Sequence, residues 1–249
     1  HRQEDRRILD LLKDIRGANV GERTWEIILS RENKEVIGSA NPTKLFTHNI
    51  DVDAINNREL GKIKERPLGY AMQSEGNRKL VEFLRQGCLA PEKLILKKGA
   101  RVMFVKNNFE EGYVNGTIGE VVGFDHESKF PVVKTLKGRK IAVSPAVWEI
   151  EENNSVLARI KQIPLRLAWA ITVHKSQGMS LDAAEIDLGK SFEYGMGYVA
   201  LSRVRTLSGI KLLNINEMAL AVNDEIYELD KELLKLSEKA ENEMEKTIK

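Results

Sequence analysis

The chain predicts an α/β fold in which the two ends of the sequence share one parallel sheet and an all-β segment is inserted between them. Three observations carry this. Near the start, Lys44-Leu45-Phe46-Thr47 runs straight into an amphipathic stretch with Val52, Ile55 and Leu60, the strand–turn–helix order of α/β layers. From about residue 93 to 163 the text becomes short β runs broken by turn signals. After 164 the α/β alternation returns, beginning with a near-continuous apolar run over 167–171.

The elements follow in order. Ile8, Leu11, Leu12 and Ile15 recur at helical spacing and stop at Gly17, which suits a helix C-terminus. Residues 18–43 are mixed, with Gly, Asn and Pro42 marking loops. In the middle, β runs are expected at 101–105, 117–124, 130–134, 139–143 and 147–150, punctuated by Asn115-Gly116, Lys137-Gly138 and Ser144-Pro145. Closely spaced short strands suggest a small barrel. Beyond it come a strand over 167–171, a turn and short helix over 173–178, a strand over 184–188, a helix over 197–204 and a last strand over 210–213. The expected division is therefore 1–92 with 164–221 as one discontinuous domain, 93–163 as the insertion, and 222–249 as an acidic C-terminal helix. In that helix Val222, Ile226, Leu229, Leu233, Leu236 and Ala240 form a heptad stripe. Fewer than three heptads favours docking on its own domain over a dimer zipper, so a monomer is expected.

With 249 residues, 42% hydrophobic and 31% charged, the chain has a soluble globular profile. No run approaches the roughly 18 apolar residues of a membrane helix. Cys88 stands alone, which excludes a disulfide framework or cysteine metal cluster and reads as a small buried hydrophobe in a reducing compartment. An intracellular site is expected, the cytoplasm in a prokaryote or the nucleus or mitochondrion in a eukaryote. His1 reads as a cut end. The net charge of +2 hides an asymmetry: residues 92–140 hold ten Lys/Arg against six Asp/Glu, a local +4, and residues 217–249 hold five against ten, a local −5. Such a basic middle permits nucleic-acid contact.

Two blocks carry chemistry. The first is Thr172-Val173-His174-Lys175-Ser176-Gln177-Gly178, an apolar strand ending in Thr, then a His-Lys pair and a helix start. That order puts polar groups at the carboxyl edge of a sheet, where ligands gather in open α/β folds. Lys175 is a point charge suited to phosphate, although a bare His-Lys pair is more often solvated decoration. The second is Tyr198-Val199-Ala200-Leu201-Ser202-Arg203-Val204-Arg205. Its apolar residues pack a helix and aim Ser202 and Arg203 at its end. A guanidinium is always charged and its donor fork matches phosphate oxygens; the plain alternative is a surface ion pair worth under about 1 kcal/mol.

In that order, with Ala168-Trp169-Ala170-Ile171 before the first block and Met179-Ser180-Leu181-Asp182 after it, the chain resembles the C-terminal half of superfamily 1 DNA helicases of the Pif/RecD-like branch. The likeness spans about residues 1–215. It implies a second RecA-like motor domain, with a parallel sheet, carrying an inserted small SH3-like β-barrel. It also implies ATP-dependent travel on single-stranded DNA, typically 5′ to 3′, with duplex unwinding. Carried over residue by residue, Thr172, His174 and Lys175 would touch DNA backbone, while Gln177, Gly178 and Ser180 would lie nearer ATP. Some relatives have an acidic residue in place of Ser180, which puts a ribose contact there in question. Arg203, after Ala-Leu-Ser, would be the arginine finger, with Ser202 and Arg205 beside the nucleotide. His1-Arg2-Gln3-Glu4-Asp5 resembles the Arg-Gln block that opens this domain, making Arg2 a second γ-phosphate contact. Leu45 through Asn56 resembles a corner along the DNA path. Thr47 and Asn49 would donate to phosphate, unless Asn49 or Asp51 simply caps the helix. Residues 96–119 look like the inserted barrel; Lys97, Lys98 and Arg101 either line the DNA path or form a solvated edge.

The sequence has no Gly-x-x-x-x-Gly-Lys-Ser/Thr phosphate loop. ATP and Mg²⁺ would be held mainly by an N-terminal RecA-like domain of the same protein, and this chain alone is expected not to hydrolyse ATP; no metal site is expected within it. Two other readings stand beside this one: a non-catalytic nucleic-acid-binding module built on the basic barrel, and an interaction domain using the acidic helix.

Overall fold

A computed structural model describes residues 5–36, 42–153 and 155–248. The chain divides into two compact units, residues 1–47 with 181–249, and residues 48–180.

In the first unit, strands Thr43–Phe46, Ala184–Leu188 and Ile210–Ile215 lie side by side, all parallel, with Ala184–Leu188 central. Leu45 faces Ile186 and Ile186 faces Leu212 across the sheet. Early and late segments thus share one parallel sheet, as the alternation predicts. The helix Arg6–Arg16 buries Ile8, Leu11, Leu12 and Ile15 on one stripe. Asp5 caps it by accepting from the Arg7 N–H at 2.9 Å, and the Gly17 N–H closes it on the Lys13 carbonyl at 2.8 Å. The same Asp5 carboxylate accepts from the Leu207 N–H at 3.3 Å. Donors from Arg7 and Leu207 hold its pKa below the ordinary value although burial pushes the other way.

Two expectations fail in this unit. Residues 22–29 form a helix, Glu22–Leu29, within the stretch expected to be loops. It inserts only Thr24 and Ile28 into the core, too little apolar periodicity to announce a helix. The C-terminal helix Asp224–Ile248 does form, but its stripe does not dock: Ile226, Leu229, Leu233 and Leu236 are 51–62% exposed. Polar ties hold its first turns instead. The Asn223 side chain accepts from the Glu225 and Ile226 N–H groups, and Arg16 Nε donates to Asp230 Oδ2 at 3.0 Å.

The second unit opens with the helix Asn49–Lys62. Its main layer is a five-stranded antiparallel sheet, in spatial order Leu165–Leu167, Arg101–Phe104, Ile118–Phe124, Pro131–Thr135, Lys140–Ala142. Val102, Phe104, Val121, Val133, Ile141 and Leu165 point into one core with Leu60, Leu94, Leu96 and Ile163. Phe104 stacks on Tyr113 with centroids 4.1 Å apart, a pairing worth about 0.5–1.5 kcal/mol beyond its buried area. A three-stranded antiparallel sheet joins Gln73–Gly76, Ser155–Gln162 and Ala146–Glu152 in the order given.

 Leu68–Ala71 and Lys93–Leu96 pair as a separate ribbon, and the helix Arg78–Gly87 packs Val81 against Ala158 and Ile160.

Several details differ from the sequence-based expectation. The apolar run over 167–171 is not one strand. Leu165–Leu167 pairs with Arg101–Phe104, Ala168 donates its N–H to the Arg101 carbonyl, and a new strand, Ala170–Thr172, begins after Trp169. Asn115-Gly116 is not a two-residue hairpin turn but closes a longer loop, in which Asn108 bridges Tyr113 and the Gly116 N–H returns to the Phe104 carbonyl at 2.9 Å. In the first unit, the helix expected over 197–204 is shorter, Met196–Leu201, and gives way to turns.

Candidate nucleic-acid and nucleotide sites

The Thr172 block is a short strand followed by a single 3-10 turn, His174–Ser176. Thr172 is buried, and its hydroxyl accepts from the Lys175 N–H at 3.3 Å, so it caps the turn. Ser176 is fully buried and donates to the Val173 carbonyl at 2.6 Å. Gly178 turns the chain at φ 81°, a left-handed conformation that glycine adopts without strain. His174, Gln177, Gly178 and Ser180 are exposed; Lys175 is half-buried.

The helix Asn49–Lys62 braces this block. Asn56 is buried and clamps Ala170 from both sides, Nδ2 donating to its carbonyl at 2.9 Å and Oδ1 accepting its N–H at 3.0 Å. Two helical turns earlier, Asn49 Oδ1 accepts from Lys175 Nζ at 3.1 Å. Asn49 opens the helix, and His48, the capping position, makes no side-chain cap hydrogen bond. Burial depresses the Lys175 pKa, the nearby Arg166 guanidinium depresses it further, and Asp53 opposes both. Arg166 donates through Nη1 to the Leu89 carbonyl at 3.3 Å, while its Nε is buried with no hydrogen-bond partner among the described residues. Lys175 and the nearby Arg166 thus bring two cations to this turn, an arrangement suited to a phosphate oxygen.

Neither Asn56 nor Arg166 emerges as a site residue from the sequence. The spacing of Asn49 and Asn56, seven residues apart on one helix, is the one signal for the clamp; Arg166 falls just before the run expected as a strand. Among the remaining basic candidates, Lys97 donates to the Ile63 carbonyl at 2.6 Å and so ties down the end of the helix. Lys98 is exposed. Arg101 is half-buried, and desolvation lowers its pKa.

The Arg203 block belongs to the first unit, as does Thr47, which is buried beside the strand Thr43–Phe46. Gly197 lets the helix Met196–Leu201 approach closely, since a Cβ there would lie 2.2 Å from the Ala219 carbonyl oxygen. Arg203 follows the end of this helix and folds back on it: Nε donates to the Val199 carbonyl at 2.9 Å and Nη2 to Ser202 Oγ at 2.7 Å. Ser202 is buried and donates to the same Val199 carbonyl at 3.0 Å. The segment is stitched to Leu181, whose N–H donates to the Arg203 carbonyl at 2.8 Å and whose carbonyl accepts the Arg205 N–H at 3.1 Å. Arg205 pairs with Asp182 at 2.9 Å, so its charge is already engaged. Arg2 lies outside the described residues. No group of three His, Cys, Asp or Glu that could hold a metal occurs among the described residues, and no helix there is long and apolar enough to cross a membrane.

A family model, DNA helicase Pif1, 2B domain, matches residues 79–124. The chain is 37% identical over 264 residues to the ATP-dependent DNA helicase Pif1 of a Psychrobacter species, covering 86% of this chain and 40% of that protein. Over most of its length the chain is similar to Pif1 helicases. A crystal structure of Bacteroides sp. Pif1 in complex with ADP-AlF4 matches with a TM-score of 0.78 at 28% identity, covering 94% of this chain and 55% of that one. A Bacteroides Pif1 structure in complex with ADP-AlF3 and ssDNA matches with a TM-score of 0.66 at 29% identity, covering 96% and 56%. The chain thus spans two-fifths to just over half the length of these Pif1 proteins, and it corresponds to their C-terminal part.

Proposed function

We propose that this chain is the C-terminal motor half of an ATP-dependent DNA helicase that couples hydrolysis to translocation on single-stranded DNA and to duplex unwinding. The observation that carries the reading is the braced Lys175 turn, where Lys175 Nζ donates to Asn49 Oδ1 and Asn56 clamps the strand that leads into the turn. Lys175, with the Arg166 guanidinium nearby, offers charge-assisted donors to a DNA phosphate. His174 and Asn49 extend that contact, and Gln177, Gly178 and Ser180 lie toward the nucleotide. Support also comes from the ADP-AlF3 and ssDNA bound by the Bacteroides relative.

In this reading, ATP binds against a RecA-like domain of the same protein that carries the phosphate loop, and Mg²⁺ is held there. The described residues of this chain offer no carboxylate cluster for that ion. Arg203, steadied by Ser202, reaches the γ-phosphate and stabilises the charge that spreads over it during transfer. A finger of this kind is worth about 10³–10⁵ in rate, or roughly 4–7 kcal/mol at the barrier. Arg2 makes a second γ-phosphate contact, and Arg205 stays with Asp182. We assign 1–92 with 164–221 to the motor domain, 93–163 to an SH3-like insertion and 222–249 to an acidic helix, in a monomeric protein.

The reading is tested by strand separation on a forked duplex with the full-length protein, wild type beside Lys175→Ala. ATP-dependent unwinding that the variant loses, together with its affinity for single strands, supports it. Tight DNA binding without ATP-dependent unwinding would make the chain a binding module.

A further inference from the structure

A second cationic stretch, outside the Thr172 block in sequence, lies on the five-stranded sheet. Residues 128–148 contain Lys129, Lys134, Lys137, Arg139 and Lys140 and not one Asp or Glu. They build the hairpin Pro131–Thr135 and Lys140–Ala142, which forms one edge of the five-stranded sheet. Its turn is set by Gly138 at φ 85°, with the Gly138 N–H donating to the Thr135 carbonyl at 2.9 Å.

Register places Lys134 directly opposite Lys140 and, on its other side, opposite Glu120, which in turn faces Arg101. Paired residues share a sheet face, so Arg101, Glu120, Lys134 and Lys140 form one row with three cations and one anion. Like charges directly opposite each other destabilise a sheet. The Lys134–Lys140 pair is therefore a cost to folding that a polyanion would relieve. Lys134, Lys137 and Lys140 are exposed. The other two cations are engaged: Lys129 Nζ donates to the His126 carbonyl at 2.7 Å, and the Arg139 guanidinium packs over Gly112.

Surfaces that hold single strands combine basic residues with aromatic platforms on which bases stack. The hairpin has none to offer. Phe130 is half-buried against the core, and Trp148 is half-buried beneath Lys106, whose Nζ lies 4.9 Å from the ring centroid. Phosphate contact without stacking suits a paired backbone.

We infer that Lys134, Lys137 and Lys140 form a second nucleic-acid site, which engages the phosphate backbone of duplex DNA. The inference rests on the helicase reading for its choice of polyanion. It adds a duplex contact separate from the single-strand contact at Lys175.

The test compares the full-length protein with a triple variant, Lys134→Gln, Lys137→Gln and Lys140→Gln, for binding to blunt duplex and to single strands over a salt series. Loss of about tenfold or more in duplex affinity near 0.1 M salt is expected. The salt slope should fall by up to about 2.7, since each neutralised contact contributes about 0.9. Single-strand affinity should hold, and the corresponding triple Lys→Arg variant should bind duplex like wild type. Unchanged duplex affinity and slope would overturn the inference, as would an equal loss in the Lys→Arg variant. Parallel loss on both DNA forms would overturn the duplex assignment. The helicase reading fails separately: absence of ATP-dependent unwinding would sink it even if the hairpin still set duplex affinity.

Discussion

Gly116, at the turn that leads into the strand Ile118–Phe124, sits against Met179, the residue after the glycine of the Thr172 block. A Cβ at Gly116 would lie 2.8 Å from Met179 Cγ and 3.3 Å from Met179 Cα. Gly116 also holds φ at 91°, where side chains are strained. The loop of the antiparallel sheet thus rests directly on the segment that carries Lys175. Gly116→Ala is expected to destabilise the protein by about 1–3 kcal/mol. Met179→Ala on top of it should cost less than the sum of the single changes, because it removes the overlapping Cγ. Urea denaturation of the four proteins in the cycle measures this, and strict additivity would show that the contact carries no energy.

Asn56 is expected to matter more than an ordinary helix asparagine. Asn56→Ala leaves the Ala170 N–H and carbonyl without their partner, a cost of about 1–3 kcal/mol for each buried group left unsatisfied. Because the clamp lies at the start of the strand that leads to Lys175, single-strand affinity should fall as well. Binding measured well below the melting temperature separates the two effects. Wild-type affinity in a destabilised Asn56→Ala protein would confine the clamp to folding.

The fold was legible in the text to the extent that pattern and chemistry coincide. Leu45, Ile186 and Leu212 lie in short strands that alternate with helical stretches, and that alternation announces a parallel sheet. Lys175 and Arg203 stand out because their neighbours spell motifs. Asn56 and Arg166 gain their importance from partners far away in sequence, Ala170 at 114 residues and Leu89 at 77, and no local pattern encodes such contacts. The strand Ser155–Gln162 was missed although Ala158 and Ile160 alternate with Arg159 and Lys161, the period of a half-buried strand.

Lys175 carries a pH dependence. Its pKa lies below the ordinary lysine value of 10.5 through burial and Arg166. The charged form that grips phosphate is therefore lost at lower pH than for an ordinary lysine. Single-strand affinity should decline as pH rises through that lowered value, while a Lys175→Arg variant, whose charge persists, should stay flat. Stability moves the other way. A folded-state pKa below the unfolded one means that the unfolded chain binds more protons in that window, so this group penalises folding below its folded pKa and the penalty lifts as pH climbs toward 10.5. Parallel declines in wild type and Lys175→Arg would remove Lys175 from the contact.

The exposed stripe on the C-terminal helix gives a contrasting prediction. Leu229 and Leu233 are 51% and 55% exposed, so Leu229→Ser with Leu233→Ser should change stability by no more than about 0.5 kcal/mol per site. Arg16→Ala, which removes the tie to Asp230, should affect this helix more than either leucine change does. Thermal unfolding and helix-specific hydrogen exchange report both. A loss of several kcal/mol from the serine pair would mean that the stripe is buried in solution.

The most direct test of the account is single-strand-stimulated ATP hydrolysis by the full-length protein, wild type beside Arg203→Ala. Strong DNA-dependent turnover is expected in the wild type, falling by about two orders of magnitude or more in the variant, in keeping with an arginine finger. Turnover indifferent to Arg203, or no turnover in the wild type, would contradict it.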